Sequence, residues 1–273
     1  MPILCSGRSD NGWRIEKPLH QGVMSRVWLL QSPKVEWRLV LKAATDHEKS
    51  VWALGREMTL LRQLRGEGIP FLYHQGEEEG IPWYTMPFYE GETLRGRLDR
   101  LGTLPEEETA QIGRRLCRIL DVLHHRRPPV IYGDLKPENV ILTGDGGVVL
   151  LDYGNAWLLG EKQDSIRFRG TPGYAAPECW HLEKATTAVD LFALGVLLHE
   201  MLEGGKPQEH FGQYRLENTA YKKRWQTLIN DCTAFNTENR IQDVRQADRR
   251  LAVIPVDRRR DQSRLCYAVS AMW

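Results

Sequence analysis

Residues 131–142 read Ile-Tyr-Gly-Asp-Leu-Lys-Pro-Glu-Asn-Val-Ile-Leu, and their types and spacing suit the transfer of a phosphoryl group. Asp134 can accept a proton from a hydroxyl, Lys136 supplies a cation for the moving phosphate, and Asn139 can hold a metal ion. An acid, a lysine two places on, an asparagine five places on and a closing apolar triplet assign one group to each demand of that chemistry. The rest of the chain should then hold the phosphoryl donor or present the acceptor.

The elements that must position these groups follow from periodicity. Residues 13–19 and 26–30 read as two strands joined by a turn around Gly22, and 38–43 as a third, with Lys42 near its end. From about 46 to 64, Val51, Leu54, Met58 and Leu61 recur at three- and four-residue spacing, which predicts a helix with one apolar face; Glu57 lies on that helix. The glycine-rich segment 66–70 ends it. Segments 71–74 and 83–88 read as a strand pair around the acidic turn 77–80. After Gly91 the composition turns helical, with a short helix near 93–100 and a long one from Pro105 to about His125. Acids in the first turn of the long helix and His/Arg at its last turn suit the helix dipole. Residues 148–151 form a short apolar strand that delivers Asp152, and 171–178 a loop punctuated by Gly and Pro. A buried helix is expected over 190–202, and two more near 221–232 and 244–251.

At 273 residues, with 41% apolar and 27% charged residues, the composition is that of an ordinary globular protein able to bury a sizeable core. A formal net charge of +1 offers no bulk field for nucleic acid, and none is expected as a partner. Cys5, Cys117, Cys179, Cys232 and Cys266 are scattered with no Cys-x-x-Cys pair, so neither a zinc site nor a disulfide framework is expected. No apolar run reaches the ~18–20 residues that span a bilayer, and no signal-peptide core opens the chain. The expected location is the cytoplasm.

Over about residues 13–254 these motifs, in this order, resemble eukaryotic-like serine/threonine protein kinases. The resemblance implies an α+β, bilobal protein-kinase fold: an N-lobe of five antiparallel strands with one main helix, and a mostly helical C-lobe. The expected division is a leader (1–12), an ATP-binding N-lobe (13–88), a catalytic and substrate-binding C-lobe (89–255) and a basic/apolar tail (256–273). By resemblance ATP and Mg²⁺ are the cofactors, and Ser/Thr hydroxyls of proteins the acceptors. In Val40-Leu41-Lys42 the lysine falls where the family contacts the α- and β-phosphates, with Glu57 as its ion-pair partner. Asp134 corresponds to the carboxylate that accepts or orients the hydroxyl proton, and Lys136 to the cation near the γ-phosphate, which favours Ser/Thr acceptors. Asn139 and Asp152, the latter in Asp152-Tyr153-Gly154, correspond to the magnesium ligands. Thr171 matches the loop threonine that bonds to the catalytic Asp and Lys. Glu178 matches an acid paired with a late arginine, which Arg240 fits, and Asp190 one that holds the catalytic-loop backbone. The nucleotide is expected to meet Leu19, Gly22, Val27, Val40, Lys42, Met86 as gatekeeper, Pro87, Tyr89 and Ile141.

Two departures carry consequences. The family's G-x-G-x-x-G-x-V falls on residues 20–27, where only Gly22 remains and His20 and Ser25 replace glycines. Weakened ATP affinity is expected. The usual His-Arg before the catalytic Asp is Tyr132-Gly133, and the position of the usual activation-loop phosphoacceptor is Arg167. Receptor and phosphate are both missing, so the expectation is an active conformation independent of activation-loop phosphorylation, with Ser165 the only nearby alternative acceptor. The competing readings are a pseudokinase acting as a scaffold, against which the complete set of catalytic residues speaks, and a small-molecule phosphotransferase of the aminoglycoside kind, against which the 170–178 segment speaks. In the tail, Arg258, Arg259, Arg260 and Arg264 precede a mostly apolar end. A disordered or docking tail is one reading, and an interfacial anchor giving weak membrane association is the other.

Overall fold

Three strands open the chain, β1 (Arg14–Gln21), β2 (Ser25–Ser32) and β3 (Val35–Ala44). After helix α1 (Glu48–Gln63) come β4 (His74–Glu78) and β5 (Ile81–Pro87). All five form one antiparallel sheet in the order β1-β2-β3-β5-β4. This is a computed structural model, which describes residues 12–161, 169–180, 185–207, 214–217 and 222–254. Two compact units divide it. The first holds the residues up to Gly91 together with Val149–Gly154, and the second Glu92–Val148 and the residues from Asn155 on.

In the first unit the middle strand β3 is buried on both faces, because successive side chains alternate across a pleated strand. Leu39, Leu41 and Ala43 pack with Trp13, Trp28 and Leu30 on one face. Val40 and Lys42 point to the other, where register sets Lys42 opposite Val27 on β2 and opposite Tyr84 on β5. Helix α1 starts at a cap made by His47, whose Nδ1 accepts from the Lys49 N–H at 3.2 Å. It buries Ser50, Leu54, Glu57, Met58 and Leu61, a stripe at helical spacing in which Glu57 is the one charged residue. A carboxylate in that stripe must find partners.

One strand lies elsewhere than its sequence suggests. A strand is expected over 71–74, but β4 runs from His74 through the acidic residues to Glu78. Glu79 and Gly80, at φ 51° and 80°, make the turn, and Glu78 pairs with Ile81. Positive φ at both central residues matches the twist of a two-residue hairpin, so the turn sets the register and carries the strand past Phe71 and Tyr73.

In the second unit, β6 (Gly91–Thr93) leads to α2 (Leu94–Leu101), which Thr93 caps by accepting from the Gly96 N–H at 3.0 Å. Helix α3 (Glu106–His124) follows, then β7 (Val130–Ile131), β8 (Val140–Thr143), β10 (Trp157–Leu158), α4 (Ala188–Glu203), α5 (Lys222–Cys232) and α6 (Val244–Ala252), while β9 (Val148–Leu150), between β8 and β10 in the chain, passes into the first unit at Val149. Helix α4 is apolar nearly all round and packs against α3 and α5, which makes it the buried axis of this unit. Among the described residues no helix is long and apolar enough to cross a membrane. Ser165, Arg167, the leader through residue 11 and the tail from residue 255 lie outside the described residues.

Candidate active site

The first unit gathers one cation and two carboxylates. Lys42 Nζ donates to both Glu57 oxygens at 2.9 and 2.8 Å and to Asp152 Oδ1 at 2.9 Å. Glu57 also accepts from the Tyr84 hydroxyl at 3.0 Å and from the Tyr153 backbone N–H at 3.1 Å, so four donor contacts hold the buried carboxylate. Burial alone would lower the Lys42 pKa, but the Asp152 and Glu57 charges more than reverse it and hold the ammonium well above its usual range. Burial pushes Glu57 up, and Lys42 opposes that rise without cancelling it. The Tyr84 phenol is held well above its ordinary value by burial and by the neighbouring Glu57 charge. Lys42 is therefore fixed as a cation within reach of a ligand that meets Asp152, whose side chain is half exposed.

Asp152 adopts φ 55°, a left-handed backbone that few residues other than glycine take. Such a conformation persists where surrounding bonds impose it. Here the carboxylate is held by Lys42 and by the Gly154 N–H at 3.3 Å. Tyr153 is buried, so its ring anchors the segment while its N–H reaches Glu57.

The remaining nucleotide-contact candidates of this unit lie along the sheet. Val27 is partly buried on β2, and Val40 and Met86 face one another as register partners on β3 and β5. Pro87 ends β5 opposite Leu39, Tyr89 follows half-buried, and Leu19 on β1 is exposed. The β1–β2 turn is closed by the Gly22 N–H bonding to the Ser25 carbonyl at 2.9 Å. Its tip is tied down: Thr45 Oγ1 donates to the Val23 carbonyl at 2.8 Å and the Ser50 hydroxyl to that of Met24. The His20 ring stands over Gly22, with Nε2 2.5 Å from where a Cβ would be. Ile141 belongs to β8 in the second unit.

The second unit builds the acceptor group around Asp134, which is buried and bonded on both oxygens. Oδ1 accepts from the Thr171 hydroxyl at 2.6 Å, and Oδ2 meets Lys136 Nζ at 3.0 Å and Asn139 Nδ2 at 3.2 Å. Lys136 donates to Thr171 Oγ1 at 2.8 Å, and Asn139 Nδ2 also donates to the Asp134 carbonyl at 2.9 Å. Asp190, with no exposed surface, fixes the loop from below: the Tyr132 and Gly133 N–H groups donate to it at 2.8 and 2.7 Å. A buried carboxylate that accepts backbone N–H bonds fixes the backbone as firmly as it is fixed itself. Glu178 is held by Arg240, with Nη2 to Oε2 at 3.1 Å, and the guanidinium stacks 5.0 Å over Phe192.

Several supporting residues were not singled out from the sequence. His124, read as one of the basic residues suiting the helix dipole, is buried and donates from Nε2 to Asp190 at 2.8 Å. Tyr84 shares the sheet face of Lys42 as its cross-strand partner, which β-strand alternation could have revealed had the β3–β5 register been known. Arg95 binds Glu138 of the catalytic stretch at 3.0 Å, Glu200 at 2.8 Å and the Tyr174 hydroxyl at 2.9 Å, joining α2, α4 and the 170–178 segment. Nothing in local spacing marks such a hub, because its members are far apart in the chain.

Residues 13–252 match the family model described as the protein kinase domain. Serine/threonine-protein kinase A of Synechocystis sp. is 29% identical over 218 residues, covering 75% of this chain and 40% of the relative. Serine/threonine-protein kinase TIO of Arabidopsis thaliana is 32% identical over 161 residues, covering 59% of this chain and 12% of the relative. Serine/threonine-protein kinase 36 of Pongo abelii is 29% identical over 188 residues, covering 68% of this chain and 14% of the relative. The chain thus spans less than half the length of these relatives.

Proposed function

The chain belongs to the protein kinase domain family, and from that premise we propose that it transfers the γ-phosphoryl group of ATP to serine and threonine hydroxyls of protein substrates. The observation that carries this reading is the bridge from Thr171 to Asp134 and Lys136, which ties the 170–178 segment to the carboxylate that would receive the acceptor's proton. Asp134, oriented by three side chains, takes the proton of the attacking hydroxyl, and Lys136 stands beside it as the cation for the phosphoryl oxygens. Lys42, held charged by Glu57 and Asp152, contacts the phosphates of ATP. Each unit offers one ligand atom suited to Mg²⁺: the first the half-exposed carboxylate of Asp152, and the second the Oδ1 of Asn139, whose Nδ2 is spent on Asp134. When bound, the metal supplies positive charge to the phosphate oxygens.

The transfer requires no activation-loop phosphate in this reading. Gly133 puts no cation next to Asp134 to receive one, and Asp134, Lys136 and Thr171 are already mutually bonded. Phosphoamino-acid analysis of a protein substrate labelled from ATP tests the acceptor class: phosphoserine and phosphothreonine are expected, and phosphotyrosine alone contradicts it.

The β1–β2 turn should weaken ATP binding, since the His20 ring crowds Gly22 where backbone N–H groups would approach phosphate. Replacing His20 and Ser25 together by glycine is expected to lower the KM for ATP about tenfold, roughly the worth of one recovered charge-assisted hydrogen bond. An unchanged or higher KM contradicts this.

A further inference from the structure

We propose that Arg169 is a positioning residue: it docks the segment that carries Thr171 onto the catalytic loop through the indole of Trp157, in place of an arginine at position 133. The proposal rests on the kinase reading above and assigns its latch. Gly133 has φ 76°, and a Cβ there would lie 2.2 Å from Trp157 Cζ3, so both conformation and the indole close this position to a side chain. Trp157 is 3% exposed and is set in place by β10, where it pairs with Ile131 on β7. The Arg169 guanidinium stands 5.2 Å from the centre of the Trp157 ring. Its Nη1 donates to the carbonyls of Asn155 at 3.1 Å and Ala156 at 3.5 Å.

Three consecutive residues thus hold two consecutive residues of the loop and the indole that covers the first of them. Arg169 lies on the indole that covers Gly133. Gly170 packs so closely on the Gly133 carbonyl that a Cβ would sit 3.0 Å from that oxygen. Thr171 donates to Asp134. A guanidinium only 6% exposed, over an indole face and against fixed carbonyls, is a desolvated cation–π contact, the setting in which that interaction is strongest. Burying a charge is costly unless such partners offset the loss of water. The result is an anchor of permanent charge: the cation comes from the segment, its receptor is an aromatic ring, and no phosphate enters.

The test compares Arg169→Gln, Arg169→Lys and Trp157→Phe in protein shown by intact mass to carry no phosphate. Glutamine keeps donors for the two carbonyls but loses charge and guanidinium plane, whereas lysine keeps a cation over the ring. Arg169→Gln is expected to lower kcat about tenfold with the KM for ATP unchanged, and Arg169→Lys to restore most of it. Trp157→Phe, with a weaker ring, should fall between them. Hydrogen exchange of residues 169–176 should quicken in Arg169→Gln while α4 and α6 keep their protection. The exchange arm needs no activity. Wild type that transfers nothing removes the kinase reading, whereas unchanged exchange, or unchanged kcat in an active enzyme, overturns the latch. Loss of protection throughout the second unit would also overturn it, as the sign of a merely structural role.

Discussion

Asp134→Asn is expected to lower kcat about a thousandfold, within the range that a positioned general base contributes. The replacement is nearly isosteric, and its amide oxygen can still accept from Thr171. The pair with Lys136 and the side-chain bond from Asn139 are lost, because the amide NH2 that replaces Oδ2 can only donate, but the loop keeps the support of Asp190 on the Tyr132 and Gly133 N–H groups. What disappears is the carboxylate proposed to take the hydroxyl proton. The KM for ATP should therefore change little, and circular dichroism and the thermal midpoint should show a folded protein. Steady-state kinetics decides: a fall of only a few-fold means that Asp134 is not the proton acceptor.

Lys42→Met should abolish most transfer for a different reason, and it should leave a signature in stability. Removing a preorganised donor to developing phosphate charge costs about a hundred- to a thousandfold in rate. The same change deprives the buried Glu57 of its cation while Asp152 stays beside it. Glu57 is already pushed above its ordinary value by burial, and without Lys42 it must rise further. A carboxyl whose folded pKa lies above its unfolded one contributes stability that is fully present below the unfolded pKa and lost as pH rises through the folded pKa. The stability deficit of Lys42→Met should thus be small near pH 5 and grow toward about pH 8, to about 3 kcal/mol, the lower end for a broken buried pair. Chemical denaturation at the two pH values checks this, and an equal deficit at both contradicts it.

The parts of the site that were legible in the sequence are those whose chemistry lies in residue type at fixed local spacing. Asp134, Lys136 and Asn139 fall within six residues, and Lys42 and Glu57 sit on a strand and a helix whose periods are plain. What was illegible is what only tertiary packing decides. The strands β7 and β10 have two residues each, too short to show any period, yet their pairing seats Trp157. Taking 77–80 as the turn puts the first strand of the pair at 71–74, whereas the positive φ of Glu79 and Gly80 confines the turn to those two residues and carries the strand onward to Glu78. The left-handed backbone of Asp152 has no composition cue, since the residue is not glycine; the bonds from Lys42 and Gly154 hold it there. A division drawn at 88/89 passes over the return of Val149–Gly154 to the first unit, because a linear boundary cannot express it. Gly133, a departure from the motif when read as sequence, lies in the fold against the indole of Trp157, over which the Arg169 guanidinium stands.

The proposed activity is ATP-dependent transfer to Ser/Thr hydroxyls without need of an activation-loop phosphate. The most direct measurement is the initial rate of transfer from γ-labelled ATP with Mg²⁺, using protein stripped by phosphatase and freed of it, with Asp134→Asn as the blank. A linear rate from the first time point, absent in the blank, is the predicted result. No transfer above the blank, or a lag that shortens as Ser165 becomes phosphorylated, would contradict it.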